Sequence, residues 1–161
     1  QPGEEPRWGE NRGPRCYGLP NPPRPWPGNA FRDGSIPTTG TATYAGHVTA
    51  SFNSNGNEYV AAGNMTNVIN FGAQNGTMTV TNLDGRSYSG TVLFNPPTVG
   101  PPGFSGQLST PLSTFAITTM QVQGGFFQSP TDPVKEIGGS VLIRGPAGSN
   151  YAGSGIFAGA R

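Results

Sequence analysis

The sequence predicts an all-β protein, an eight-stranded antiparallel up-and-down β-barrel preceded by an extended, Pro-rich N-terminal arm. Three observations carry that expectation. From Thr41 onward apolar and polar residues alternate with period two, and no stretch repeats with a helical period. Short Asn-, Asp- and Gly-rich turns separate the alternating runs. Glycine also recurs inside the runs, and 26 glycines and 17 prolines beside only 33% hydrophobic residues favour short strands with many turns. A chain of 161 residues has room for one core, so residues 1–37 are read as the arm and residues 38–161 as the barrel.

The arm comes first. Residues 1–40 hold nine of the prolines, five of the eight arginines, both tryptophans and Cys16, the sole cysteine. Proline fixes φ and has no N–H to give a ladder, so a stretch such as Leu19 to Asn29 (LPNPPRPWPGN) is expected to be extended rather than a central strand. Trp8, Tyr17, Trp26 and Phe31 are the expected anchors of this arm, because large aromatics dominate such contacts. They would seat either on their own barrel or on another chain. Cys16 is read as an unpaired thiol, with an intermolecular bridge as the alternative.

The strands follow in order. Tyr44, Gly46, Val48, Ala50 and Phe52 share one face of a first strand, opposite Ala45, His47, Thr49 and Ser51, and NSNG turns the chain. Tyr59, Ala61, Gly63 and Met65 continue a second strand to Phe71, and AQNG is read as the next turn. Met78 and Val80 oppose Thr77, Thr79 and Thr81 in the third, whose threonine row is its wet side. Asp84-Gly85 turns into a fourth with Tyr88, Gly90, Val92 and Phe94. After the Pro-rich break at Asn95–Gly103 come Phe104, Gly106 and Leu108. A sixth strand is expected from Phe115 to Phe127, a seventh from Ile137 to Ile143 and the last from Tyr151 to Ala160.

Eight such strands can hide their edges by closing, with a sandwich as the alternative. The glycines favour the barrel. In the closing run, Tyr151, Gly153, Gly155 and Phe157 share a face, and the opening recurs at Tyr44-Ala45-Gly46 and Tyr88-Ser89-Gly90. Aromatics would fill the interior while glycine lets the strand coil and makes room for rings from neighbouring strands.

Several functions are excluded by composition and spacing. The net charge of +1 divides into +1 for residues 1–40 and zero for residues 41–161, so neither part offers the basic surface that nucleic acid requires. No apolar run is long enough for an integral membrane helix. His47 has no Cys, Asp or Glu at ligand spacing, and Glu58, Asp84, Asp132 and Glu136 all fall near expected turns. No catalytic residue, metal site or cofactor is therefore assigned, and the chain is read as a non-enzyme. The NMT and NGT triplets at Asn64 and Asn75 fit a glycosylation pattern that a Gly/Asn/Thr-rich chain produces by chance.

The march of Tyr-x-Gly openings, the NFG of Asn70 to Gly72, the LDGRSYSGTV block from Leu83 to Val92, the GGFFQSP run from Gly124 to Pro130 and the ending EIGGSV…GSGIFAGAR resemble the C-terminal barrel of transferrin-binding-protein-B-like surface proteins. A similar barrel occurs in alphaproteobacterial FecR-domain-containing proteins. The resemblance covers Thr38 to Arg161. Glu136, Gly138 and Gly139 match the family's Glu-x-Gly-Gly, whereas Val134 stands where the family has a small residue. No lipoprotein cysteine stands at position 1, and the arm has no counterpart.

The resemblance implies a bacterial binding domain, exported to the cell surface, the extracellular space or the periplasm; a start at Gln1 without Met fits a mature, processed product. The expected partner is a protein, recognised through the stiff loops carrying Pro96, Pro97, Pro101 and Pro102 and Pro130 and Pro133. The alternative is a structural subunit of an envelope complex or filament, with the arm strapped onto another copy.

Overall fold

In the computed structural model the described residues are 36–95, 103–111, 117–129, 132 and 134–161. They form eight strands: β1 (Thr41–Ser54), β2 (Asn57–Asn70), β3 (Asn75–Leu83), β4 (Arg86–Phe94), β5 (Gly103–Ser109), β6 (Thr119–Phe127), β7 (Glu136–Arg144) and β8 (Tyr151–Ala160). Every neighbouring pair is antiparallel, and β1 also pairs with β8, Ala45 opposite Ala160 through to Ser54 opposite Tyr151. The sheet is thus a closed barrel in sequence order, and no helix occurs among the described residues.

The turns follow from local chemistry. Asn55-Gly56 and Asp84-Gly85 each place two successive residues at positive φ, the type I′ geometry that matches the strand twist. Two details differ from the sequence reading. The β2–β3 turn spans residues 71–74, and Asn75 and Gly76 already belong to β3. Burial of the Phe71 ring under the barrel shifts the turn upstream, and a β-carbon at Gly76 would press on the Val68 carbonyl oxygen at 2.7 Å, so that glycine serves packing rather than turning. The sixth strand starts at Thr119 rather than Phe115; Ile117 and Thr118 are not strand, and residues 115 and 116 lie outside the described residues.

A bulge between β3 and β4 sets Thr81 and Asn82 against Ser87 alone, between the pairs Val80–Tyr88 and Leu83–Arg86. Asn82 takes a positive φ there. The extra residue brings Val80 and Leu83, three positions apart, to the same interior.

The interior is solid. Tyr44, Phe52, Phe71, Tyr88, Phe104 and Phe157 are buried in it, and Tyr59, Phe94 and Tyr151 are half-buried against it. Rings lie over glycines of other strands: a β-carbon at Gly153 would stand 2.7 Å from Phe52 Cδ1, and one at Gly124 would stand 2.6 Å from Phe157 Cζ and 2.7 Å from Phe104 Cζ. At Gly46 it would overlap the Ala158 carbonyl oxygen, and at Gly90 that of Gln107. Such spots admit no side chain, because interiors are packed to crystal-like density. The outer face is mostly Thr, Ser, Asn, Gln and Ala, the reverse of the apolar girdle of a transmembrane barrel.

Candidate functional site

In an up-and-down barrel successive connections alternate between the two ends. The β2–β3, β4–β5 and β6–β7 connections, the entry at residues 36–40 and the exit at Arg161 therefore share one end, here the loop end. The β1–β2, β3–β4, β5–β6 and β7–β8 connections share the other, the cleft end. Both Pro-rich connections consequently belong to the loop end. Pro96, Pro97, Pro101, Pro102, Pro130 and Pro133 lie outside the described residues, as do Trp8, Cys16, Tyr17, Trp26 and Phe31 of the arm.

The stems of the Pro-rich connections are described. Asn95 N–H donates to the Gly103 carbonyl at 2.9 Å, and Ser105 Oγ donates to Asn95 Oδ1 at 3.0 Å, so the β4–β5 loop leaves from a fixed neck. At the other, Ser129 N–H donates to the Asp132 carbonyl at 2.8 Å, and Val134 N–H donates to Asp132 Oδ1 at 3.1 Å. Arg161 then grips Asp132 with two parallel bonds, Nη2 to Oδ1 at 2.6 Å and Nε to Oδ2 at 3.0 Å. That fork holds the Asp132 carboxyl below the usual carboxylate range, with backbone donation from Val134 adding to it.

Beneath these stems the barrel is plugged. Val134 is buried, and its carbonyl accepts a 2.7 Å bond from the Tyr44 hydroxyl, whose burial pushes its pKa up to about 12. The Phe126 ring lies 5.4–6.4 Å, centroid to centroid, from those of Tyr44, Phe71, Phe94 and Phe104. Phe126 is absent from the interior rings expected above, although the face it shares with Met120, Val122 and Gly124 points to it.

At the cleft end Asp84 organises the surface. Its Oδ2 accepts bonds from Tyr151 Oη at 2.7 Å and Tyr59 Oη at 3.0 Å, with Arg86 Nη1 3.9 Å away. The Arg86 guanidinium also lies 4.5 Å above the Tyr151 ring. Burial, and then the hydrogen bond to Asp84, raise the Tyr151 pKa. A cleft of about 730 Å³ opens here, lined by Asp84, Arg86, Thr110, Thr118, Pro146 and Tyr151 among others. The sequence marks Asp84 only as a turn residue; its role in joining β2, β3 and β8 depends on long-range pairing that no local pattern shows.

The other named positions are built into the wall. Gly46, Gly90, Gly139, Gly153 and Gly155 sit where a β-carbon would strike a neighbouring strand, and Gly138 faces outward beside Phe127. His47 is exposed on the outer face opposite Asn64 and Ala158. Asp84 and Asp132 lie at opposite ends, so these two carboxylates cannot converge. Among the described residues no three His, Cys, Asp or Glu side chains cluster as a metal site.

The sequence matches no protein-family model and no curated protein. Solved structures do match. A mutant of transferrin-binding protein B from Haemophilus parasuis superposes over 77% of this chain with a TM-score of 0.57 and 17% identity. Intact Ap-TbpB, with its N and C lobes, does so over 77% with a TM-score of 0.56 and 20% identity. The chain carries a transferrin-binding protein B-like barrel. At these identities the likeness is one of fold. This chain covers 27% and 26% of the lengths of those proteins. The haemoglobin receptor HpuA from Kingella denitrificans matches over 76% of this chain and 42% of its own, with 25% identity and a TM-score of 0.46.

Proposed function

We propose that this barrel is a non-enzymatic binding module of an exported bacterial protein, and that it recognises a protein partner through its loop end. The observation that carries the reading is topological: both Pro-rich connections emerge together from braced stems at one end of a barrel whose interior is filled. A filled barrel leaves no lumen for a small ligand, so recognition falls to the surface. Prolines in a loop reduce the freedom lost on docking, and stems held by Asn95 and Asp132 reduce it further. The transferrin-binding protein B structures that share this fold are named for binding transferrin, which makes carrier proteins the first candidates.

The test is capture of purified transferrin and haemoglobin, followed by whole serum, on the immobilised chain. Deleting residues 96–102 should abolish capture while the melting temperature stays unchanged, and Asp84→Asn at the opposite end should leave capture intact. Capture that survives the loop deletion, or that disappears with Asp84→Asn, contradicts the reading.

A further inference from the structure

Outside the barrel, where β7 and β8 reach the loop end, the sheet carries an apolar trough of about 600 Å³. Gly138 and Ala158, partners in register, form its floor; Phe127 and Ile156 form its walls, with Glu136 and Ala160 at its open edge. The floor is low because Gly138 lacks a side chain, and the Phe127 ring stands 3.2 Å from where its β-carbon would be. Ile156 is 69% exposed. The exposed apolar residues Val60, Val68 and Leu93 lie on other strands and do not line this trough.

We infer that the trough receives the Pro25-Trp26-Pro27 segment of the same chain. The place where the chain enters the barrel supports this occupant. Ile36, the first described residue, packs against the core, and residues 38–40 run beside the β2–β3 turn, with the Gly40 carbonyl accepting a 3.0 Å bond from Phe71 N–H. The trough opens at that same end. Trp26 precedes Ile36 by ten residues, a reach of up to about 33 Å at roughly 3.3 Å per residue. The entry beside the β2–β3 turn lies about three strand spacings from the β7–β8 pair, roughly 14 Å along the wall at about 4.8 Å each, which is within that reach.

Chemistry narrows the choice further. The barrel leaves only short strand edges unpaired, such as Thr41–Tyr44 of β1 and Asn57–Gly63 of β2, and the prolines on both sides of Trp26 could not donate to one. Attachment must come from a side chain entering a concavity, and Pro-rich segments take aromatic-lined grooves. Phe127, whose ring covers Gly138, supplies an aromatic face, Ile156 an apolar one, and Glu136 at the edge offers a carboxylate. Residues 11–32 carry four arginines and no acidic residue, which complements that carboxylate. This inference is independent of what the loops bind.

Both tryptophans belong to residues 1–35, so tryptophan emission reports that segment without background from the barrel. The full chain bearing Trp8→Phe leaves Trp26 as the only tryptophan, which is excited selectively at wavelengths too long for the tyrosines. Its emission should be blue-shifted and protected from acrylamide relative to a peptide of residues 19–35, and should not change on dilution. Adding Ile156→Glu and Ala158→Glu, both on the outer face, should return the emission to that of the peptide with the melting temperature unchanged. Peptide-like emission in the full chain, or a shift that survives the two glutamates, overturns the inference. So does a shift that fades on dilution together with a fall in mass, because the segment would then seat on another copy.

Discussion

At the loop end Phe126 sits among Tyr44, Phe71, Phe94 and Phe104; at the cleft end Phe52 packs against Tyr59 and Tyr151, whose hydroxyls converge on Asp84. The first closure is mainly apolar packing, capped by Val134 and one hydrogen bond from Tyr44. The second is finished by a single carboxylate that also occupies a turn position at φ 52°. Apolar closure draws on the connections above it mainly through Val134, so the rest of those loops is free to carry recognition. The polar closure ties turn, strands and cleft to one residue, which leaves less freedom for variation.

Substitutions at the two ends should separate these closures. Phe126→Ala removes the ring that links four others and should cost about 3–5 kcal/mol, read as a lowered denaturation midpoint for the whole domain. Asp84→Ala leaves two tyrosine hydroxyls without their acceptor and removes the short polar side chain that makes positive φ tolerable; a loss of about 1–3 kcal/mol is expected. Asp84→Asn keeps an acceptor and tolerates that φ, so its cost should stay below about 1 kcal/mol in the same denaturant series. If Asp84→Asn matched Asp84→Ala, charge rather than geometry would govern the cleft end.

Between the ends, Asn67 is fully buried, and among the described residues neither its Oδ1 nor its Nδ2 has a hydrogen-bond partner. Replacing it with leucine, of similar volume, should raise stability by about 1 kcal/mol because an unpaired buried amide is costly. A lower melting temperature for Asn67→Leu would mean that the amide makes a favourable interaction. The smallest effect concerns Asp132. Its folded pKa is depressed by Arg161, so its contribution is complete above the ordinary carboxylate value and is lost as pH falls through the lowered one. Because the pair is partly exposed, that contribution is at most about 1 kcal/mol. Arg161→Gln should flatten this acid-side loss in melts between neutral pH and about pH 3.

Much of this architecture is legible in the residues themselves. Alternation from Tyr44 to Phe52 fixes the faces of β1, the Asn-Gly and Asp-Gly pairs mark two hairpins, and ring-plus-glycine runs indicate a crowded closed interior. What stays hidden is long-range. The Asp84–Tyr151 bond spans 67 positions and the Arg161–Asp132 fork spans 29, and each partner alone reads as an ordinary turn or chain-end residue. The AQNG run reads as a turn because Asn75-Gly76 has the composition of one, whereas Gly76 belongs to β3 and is shaped by the strand packed against it. Asn67 stands in an apolar phase between Met65 and Ile69, so its burial could be read, but not its lack of partners.

Site-specific photo-crosslinking on the full chain tests the recognition surface most directly, with one probe each at Asn95 and Ser129 on the loop-end stems and at Ser87 and Ser149 around the cleft. The account predicts adducts with a partner protein from Asn95 and Ser129 alone. Adducts from Ser87 or Ser149 in place of them, or none from any of the four positions, would contradict it.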